Sequence, residues 1–219
     1  MAKFVIFGGS GMIGQRAVRE ALDRGHEVTI VVRHPAKVTE SHPNLTVTSG
    51  DVSDPGTVAK AAIGADAVIS AVSPPRGVPG SDPAAVLTAV AESLVAGLRS
   101  LGSDAPRLLV VGGAGSLEVA PEVRLVDAPG FPDLYKAEAL AQGEALAVYR
   151  GVTDLDWSYL SPAASIAPGE RTGTFRLGGD QLLSDADGNS HISAEDYVIA
   201  LVDEAEESKH VRRRFTVAY

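Results

Sequence analysis

Lys3-Phe4-Val5-Ile6-Phe7-Gly8-Gly9-Ser10-Gly11-Met12-Ile13-Gly14 opens the chain and decides how the rest is read. The apolar and aromatic run has the character of a central strand covered on both faces. The glycines then make a turn, and a helix follows. Gly8, Gly11 and Gly14 stand at G-x-x-G-x-x-G spacing. One glycine is needed for the reversal, one to let a pyrophosphate approach the backbone, and one to let helix and strand pack closely. The helix beyond points unpaired N–H groups and partial positive charge at the turn. Strand before, amphipathic helix after and a second strand about 20 residues on together point to a dinucleotide. Gly8, Ser10, Gly11, Met12, Ile13 and Gly14 are therefore the expected phosphate site.

Working outward, residues 12–24 carry Ile13, Ala17, Val18, Ala21 and Leu22 at helical spacing, and Gly25 stops the helix. Glu27 to Val32 is β-branched and reads as the second strand. Leu45 to Ser49 is a third. Asp54-Pro55 caps a helix that ends near Ile63. Ala67 to Val72 is a fourth strand, followed by a rigid proline-rich loop, Ser73 to Gly80. Asp82-Pro83 starts a long apolar helix to about Leu101. Arg107 to Val111 is a fifth strand, running into Gly112-Gly113-Ala114-Gly115-Ser116. A loop precedes a helix from about Leu134 to Arg150, and Asp156 to Leu160 is a sixth strand. Residues 163–194 turn glycine-rich, with short β-like pieces, and read as a small hairpin-rich flap. A helix from Asp196 to Glu206 and a strand from Phe215 to Ala218 close the chain.

Alternating strands and helices make an α/β fold with a mostly parallel, doubly wound sheet, here a single domain over residues 1–219. Right-handed crossovers bring the strand C-termini to one edge, where such sheets bind ligands. The loops on that edge begin at Gly8, Arg33, Asp51, Ser73, Gly112 and Ser161.

Composition narrows the function. A net charge of −9 argues against a nucleic-acid surface. The basic cluster Lys209 to Arg214 is short and reads as a solvated face. The absence of Cys removes thiolate catalysis and disulfides, and fits a reducing, cytoplasmic setting. The first strand begins at Lys3, which leaves no room for a signal peptide, and no uncharged apolar run is long enough to span a membrane. The expected partner is a small molecule, with the protein a monomer or homodimer.

Arg33 ends the second strand, where a carboxylate would accept hydrogen bonds from an adenine ribose. A guanidinium cannot accept them, but it pairs with a 2′-phosphate and stacks on adenine, so NADP(H) is preferred and NAD(H) is the alternative. Asp51 and Val52 are expected at the adenine. Ala71, Val72 and Ser73 are expected along the ribose and nicotinamide, with Gly113 at the reacting face.

The glycine turn, Val32-Arg33-His34-Pro35, Gly50-Asp51-Val52, Gly112 to Ser116, Asp156 to Pro162 and Gly169 to Gly173 together resemble atypical short-chain dehydrogenases. The resemblance is to the NAD(P)H-binding, NmrA-like branch often described as NADH-flavin reductases, and it implies a Rossmann-type fold over nearly the whole chain. Typical members use Tyr-x-x-x-Lys with a Ser: the tyrosine gives the proton and the serine polarises the carbonyl. This sequence departs. Tyr135 is followed at once by Lys136, about 100° around the helix, and position 139 is Ala. Ser116, Tyr135 and Lys136 are the catalytic candidates that remain. His191 in the flap is a weaker candidate for a proton relay.

Without that acid, reduction of a simple ketone is disfavoured. A conjugated acceptor such as a flavin or quinone, whose reduced anion is delocalised, needs mainly alignment. The expectation is an NADPH-preferring reductase of a flavin or quinone, with flavin as substrate. The rivals are a redox sensor that binds without turnover and an epimerase- or dehydratase-like enzyme.

Overall fold

A computed structural model describes residues 1–75, 78 and 80–219, without the side chain of Lys37. The strands are β1 (Lys3–Phe7), β2 (Glu27–Val32), β3 (Leu45–Ser49), β4 (Ala67–Ser70), β5 (Arg107–Val111), β6 (Glu118–Ala120), β7 (Val123–Arg124), β8 (Trp157–Ser161), β9 (Ser165–Ala167), β10 (Arg176–Gly178), β11 (His191–Ser193) and β12 (Arg213–Ala218). The helices are α1 (Met12–Asp23), α2 (Pro55–Ala62), α3 (Pro83–Arg99), α4 (Asp133–Arg150) and α5 (Ala194–Glu207).

In β1, Phe4 and Ile6 join the core under α1 and α5, while Val5 and Phe7 join the core under α2, α3 and α4. Period-two alternation with both faces apolar is what a central parallel strand requires. The eight-stranded sheet runs β10-β12-β8-β5-β4-β1-β2-β3. Every pairing in it is parallel except β10 with β12. The order reverses between β1 and β4, which opens a crevice at their C-terminal ends. The proline starts are as the sequence indicates. Asp54 accepts from the N–H groups of Gly56 and Thr57, and Asp82 from those of Ala84 and Ala85.

The flap differs from the expectation. Its short strands do not form hairpins with one another. β9 and β11 pair in parallel, and β10 joins the main sheet beside β12. The hairpin lies instead in the loop before α4, where β6 and β7 pair around Glu122 at a φ of 62°. The flap holds it from below through Glu118 N–H to Asp180 O and Leu182 N–H to Glu118 O. Behind the flap, buried Asp196 accepts from the N–H groups of Thr172 and Gly173 and from the hydroxyls of Thr172 and Tyr219.

The basic cluster is less solvated than its composition suggests. Arg214 is buried and spans Asp180 and Ser116, and the His210 ring stacks on Phe215. Trp157 is core, its indole N–H donating to Val152 O at 3.0 Å. Of the proline loop, Arg76, Gly77 and Pro79 lie outside the described residues. Among the described residues no helix is long and apolar enough to cross a membrane.

Candidate functional site

The phosphate turn divides its glycines among three tasks. Gly8 has a φ of 79°, and a Cβ there would fall 2.5 Å from the carbonyl oxygen of Ala71, so the turn reverses tightly against the end of β4. A Cβ on Gly14 would fall 2.0 Å from Gly8 O, so α1 packs on the turn only with glycine there. Gly11 is different. A Cβ on it would meet only Gly8 O, at 3.4 Å, so the fold itself does not need a glycine at this position. Gly11 is the cap of α1 and brings no side-chain hydrogen bond to the first N–H groups of the helix. Those donors are left for a ligand. Ser10, Gly11 and Met12 are exposed and Ile13 half-buried around them. This cradle fits a pyrophosphate.

The corner expected to take the adenine forms where β2 and β3 end together, in the register Val32 to Ser49. Arg33 and Asp51 are both exposed there. The Asp51 carboxyl is held below its ordinary value by the Ser53 N–H, then by the Ser53 hydroxyl and by the charge of Arg33, against the effect of burial. Its Oδ1 takes both Ser53 bonds, at 3.0 and 2.7 Å, so Asp51 is a turn residue that also faces Arg33. Val52 beside it is half-buried. The strand ends β3-β2-β1-β4-β5 then span four strand spacings, about 19 Å in all. Ala71, Val72 and Ser73 follow β4 in the middle of that path.

At the far end, Gly112 and Gly113 border a cavity of about 290 Å³. Phe131, Tyr135 and Ile166 give it apolar walls, and Glu138 and Gln142 of α4 bring polar groups. The loop that forms its floor is tightly packed. A Cβ on Gly112 would collide with the Tyr159 ring at 2.0 Å, and one on Gly115 would lie 2.6 Å from Ala139 Cβ. Tyr159 is fully buried, and burial raises its hydroxyl well above the ordinary value, so it stays protonated. That hydroxyl accepts from Gly113 N–H at 3.3 Å, and its single proton is shared between the backbone carbonyl and Oε1 of Gln142, at 3.0 and 2.9 Å. Ser161 Oγ donates to Gly113 O at 2.9 Å.

Two catalytic candidates from the sequence do not line this cavity. Ser116 turns away: its Oγ accepts from Arg214 at 2.9 Å, which ties it to the Asp180 network under the β6–β7 hairpin. Lys136 is exposed on another side of α4 and acts on Asp127, whose carboxyl is held low first by its Arg124 hydrogen bond and last by the Lys136 charge. Tyr135 does line the cavity, about half exposed, without a lysine one turn on. Ala139 stands one turn on from Tyr135, in the same cavity lining and close against Gly115. His191 is exposed, packs edge-on against Tyr219 and is not part of the cavity wall. Gln142 and Tyr159 are the residues that sequence reasoning missed. Nothing in the local pattern marks them, because their meeting depends on α4 crossing the end of β8.

A second hollow of about 230 Å³ lies between α1 and α5. Within it Arg16 pairs with Glu195 at 2.7 Å and Arg171 with Glu20 at 2.8 Å. Gln15 and Arg16 of its lining also donate to Ser10 O and Met12 O of the glycine turn.

Comparison with known proteins gives the same picture. A family model described as NAD(P)H-binding matches residues 8–212. A crystal structure of a candidate exported protein from Burkholderia pseudomallei is 47% identical, covers 100% of both chains and has a TM-score of 0.87. That of a candidate epimerase from Bacteroides thetaiotaomicron is 42% identical, covers 100% of this chain and 97% of its own, and scores 0.89. That of a candidate NADH-flavin reductase from Streptococcus pneumoniae is 33% identical, covers 100% of this chain and 99% of its own, and scores 0.86. Two of the descriptions name activities, and these differ, while all three chains share the fold over nearly their whole length. A family match from the phosphate turn to the last strand makes this chain a member of the NAD(P)H-binding family, with a Rossmann-type fold.

Proposed function

We propose that the protein is an NADPH-preferring oxidoreductase that reduces a conjugated carbonyl acceptor such as a flavin or quinone. The observation that carries this is the cavity beside Gly113: its walls are apolar and aromatic, and the tyrosine–lysine acid is absent from it. When bound, the cofactor supplies a hydride. The Gly8–Gly14 turn would hold its pyrophosphate and Arg33 its 2′-phosphate. Asp51 and Val52 would border the adenine, and Ala71 to Ser73 would carry the ribose toward Gly113. Phe131 and Tyr135 offer ring faces to a planar acceptor. An isolated ketone would need a proton delivered as its oxyanion forms, whereas a quinone or flavin spreads the arriving charge. The description of the Streptococcus pneumoniae relative as an NADH-flavin reductase supports a flavin acceptor, while the preference for NADPH rests on Arg33 alone.

The test is NADPH oxidation with a panel of free flavins, soluble quinones and simple ketones. Turnover with flavin or quinone and none with ketones is the expected result. Tight NADPH binding with no turnover on any acceptor would favour a redox sensor, and the proposal would fall.

A further inference from the structure

We infer that the Gln142 side-chain amide is the hydrogen-bond donor that receives the acceptor's carbonyl oxygen, standing where the catalytic acid is missing. This rests on the reading of the cavity beside Gly113 as the acceptor site.

Gln142 lies in the cavity wall, near the middle of α4. Its side chain is held rather than free. Tyr159 Oη donates to Gln142 Oε1 at 2.9 Å, and Tyr159 Oη itself accepts from Gly113 N–H. Burial keeps the tyrosine protonated, so this anchor persists across the working pH range. Gly113 presses against the stem of Gln142, where a Cβ would come within 3.0 Å of both Cβ and Cγ. The amide oxygen is thus turned toward Tyr159, and the two Nε2 donors are the part of the group left for the cavity.

The chemistry of an amide then restricts the substrate. It stabilises charge arriving on an oxygen, yet it holds no proton that it can give up. The acceptor takes up one hydride, which is one proton together with two electrons, and the nicotinamide would be left oxidised. The negative charge comes to rest on the carbonyl oxygen facing Nε2, and a second proton arrives from water. Only an acceptor whose anion lasts long enough to collect that proton is served, which means a quinone or flavin.

Three proteins test this: the native chain, Gln142→Met and Gln142→Glu, assayed with NADPH against a soluble naphthoquinone and FMN. Methionine keeps length and volume, and Tyr159 retains the Gln142 backbone carbonyl as its acceptor. Gln142→Met should lose about tenfold to a hundredfold in kcat/KM for the acceptor, with NADPH affinity unchanged. Gln142→Glu should recover relative to native as pH falls from about 8 to about 5, as a carboxyl in an apolar wall takes up the proton that makes it a donor. A native rate in Gln142→Met, a loss confined to NADPH affinity, or a pH-independent ratio for Gln142→Glu would overturn this inference alone. No turnover by the native chain would overturn it together with the proposed function.

Discussion

Replacing Gly11 by alanine adds one methyl group at the cap of α1, at the point where the pyrophosphate would approach. The new Cβ meets only Gly8 O, at 3.4 Å, so the turn does not have to move. Alanine is a poorer cap than glycine, at a cost below about 1 kcal/mol, or roughly 2–4 °C in Tm for a chain of this size. The same change at Gly14 has the opposite balance. A glycine-to-alanine change inside a helix ordinarily stabilises by about 1 kcal/mol. Here the methyl would sit 2.0 Å from Gly8 O and 2.8 Å from Gly8 C, both backbone atoms that cannot rotate away. Overpacking of that kind costs about 1–3 kcal/mol or more, so Gly14→Ala should be less stable than native. Binding should separate the two variants in the other direction. Displacing a phosphate from the helix N–H groups forfeits about 1.5–3 kcal/mol, which is roughly tenfold to a hundredfold in Kd. Calorimetric titration with NADPH and thermal unfolding measure both quantities. The expected result is a near-native Tm with weak binding for Gly11→Ala, and a lowered Tm for Gly14→Ala. Native affinity in Gly11→Ala, or native stability in Gly14→Ala, would refute the division of labour among these glycines.

Other consequences can be checked in parallel. Arg33→Ala should weaken NADPH binding about tenfold while leaving NADH nearly unchanged, since only NADPH brings a phosphate to that corner; equal losses would remove the phosphate role. Tyr135→Phe and Lys136→Ala should each keep turnover within about threefold, where loss of a working general acid would cost a hundredfold or more. Asp196→Asn should cost about 2 kcal/mol at neutral pH, because four donors converge on the charged carboxyl. Burial raises the Asp196 pKa, but the hydrogen bonds from Thr172, Gly173 and Tyr219 prevail and set it below its ordinary value. Its stabilisation is therefore present above the unfolded value of about 3.9 and lost as pH falls through the lower folded one. The gap between native and variant in acid titrations monitored by circular dichroism should close on that side only.

What the sequence made legible was local. The β1 run, the turn and the capping pairs Asp54-Pro55 and Asp82-Pro83 each settle their backbone within a few residues. The crevice follows from them by the handedness of crossovers. The departure at position 139 was visible as well. What lay beyond the sequence was tertiary. Ser116 is drawn away by Arg214, 98 residues further on. The hairpin moved from the flap to residues 118–124 because Asp180 and Leu182 brace it there. Gln142 carries no local mark and gains its place only because Tyr159, 17 residues later, reaches its amide.

The most direct measurement is a crystal structure of the chain soaked with NADPH. The account predicts pyrophosphate on the N–H groups of the Gly8–Gly14 turn, the 2′-phosphate at Arg33, and the nicotinamide against Gly113 at the mouth of the Gln142 cavity. A nicotinamide lying away from that cavity, or a 2′-phosphate without contact to Arg33, would contradict it.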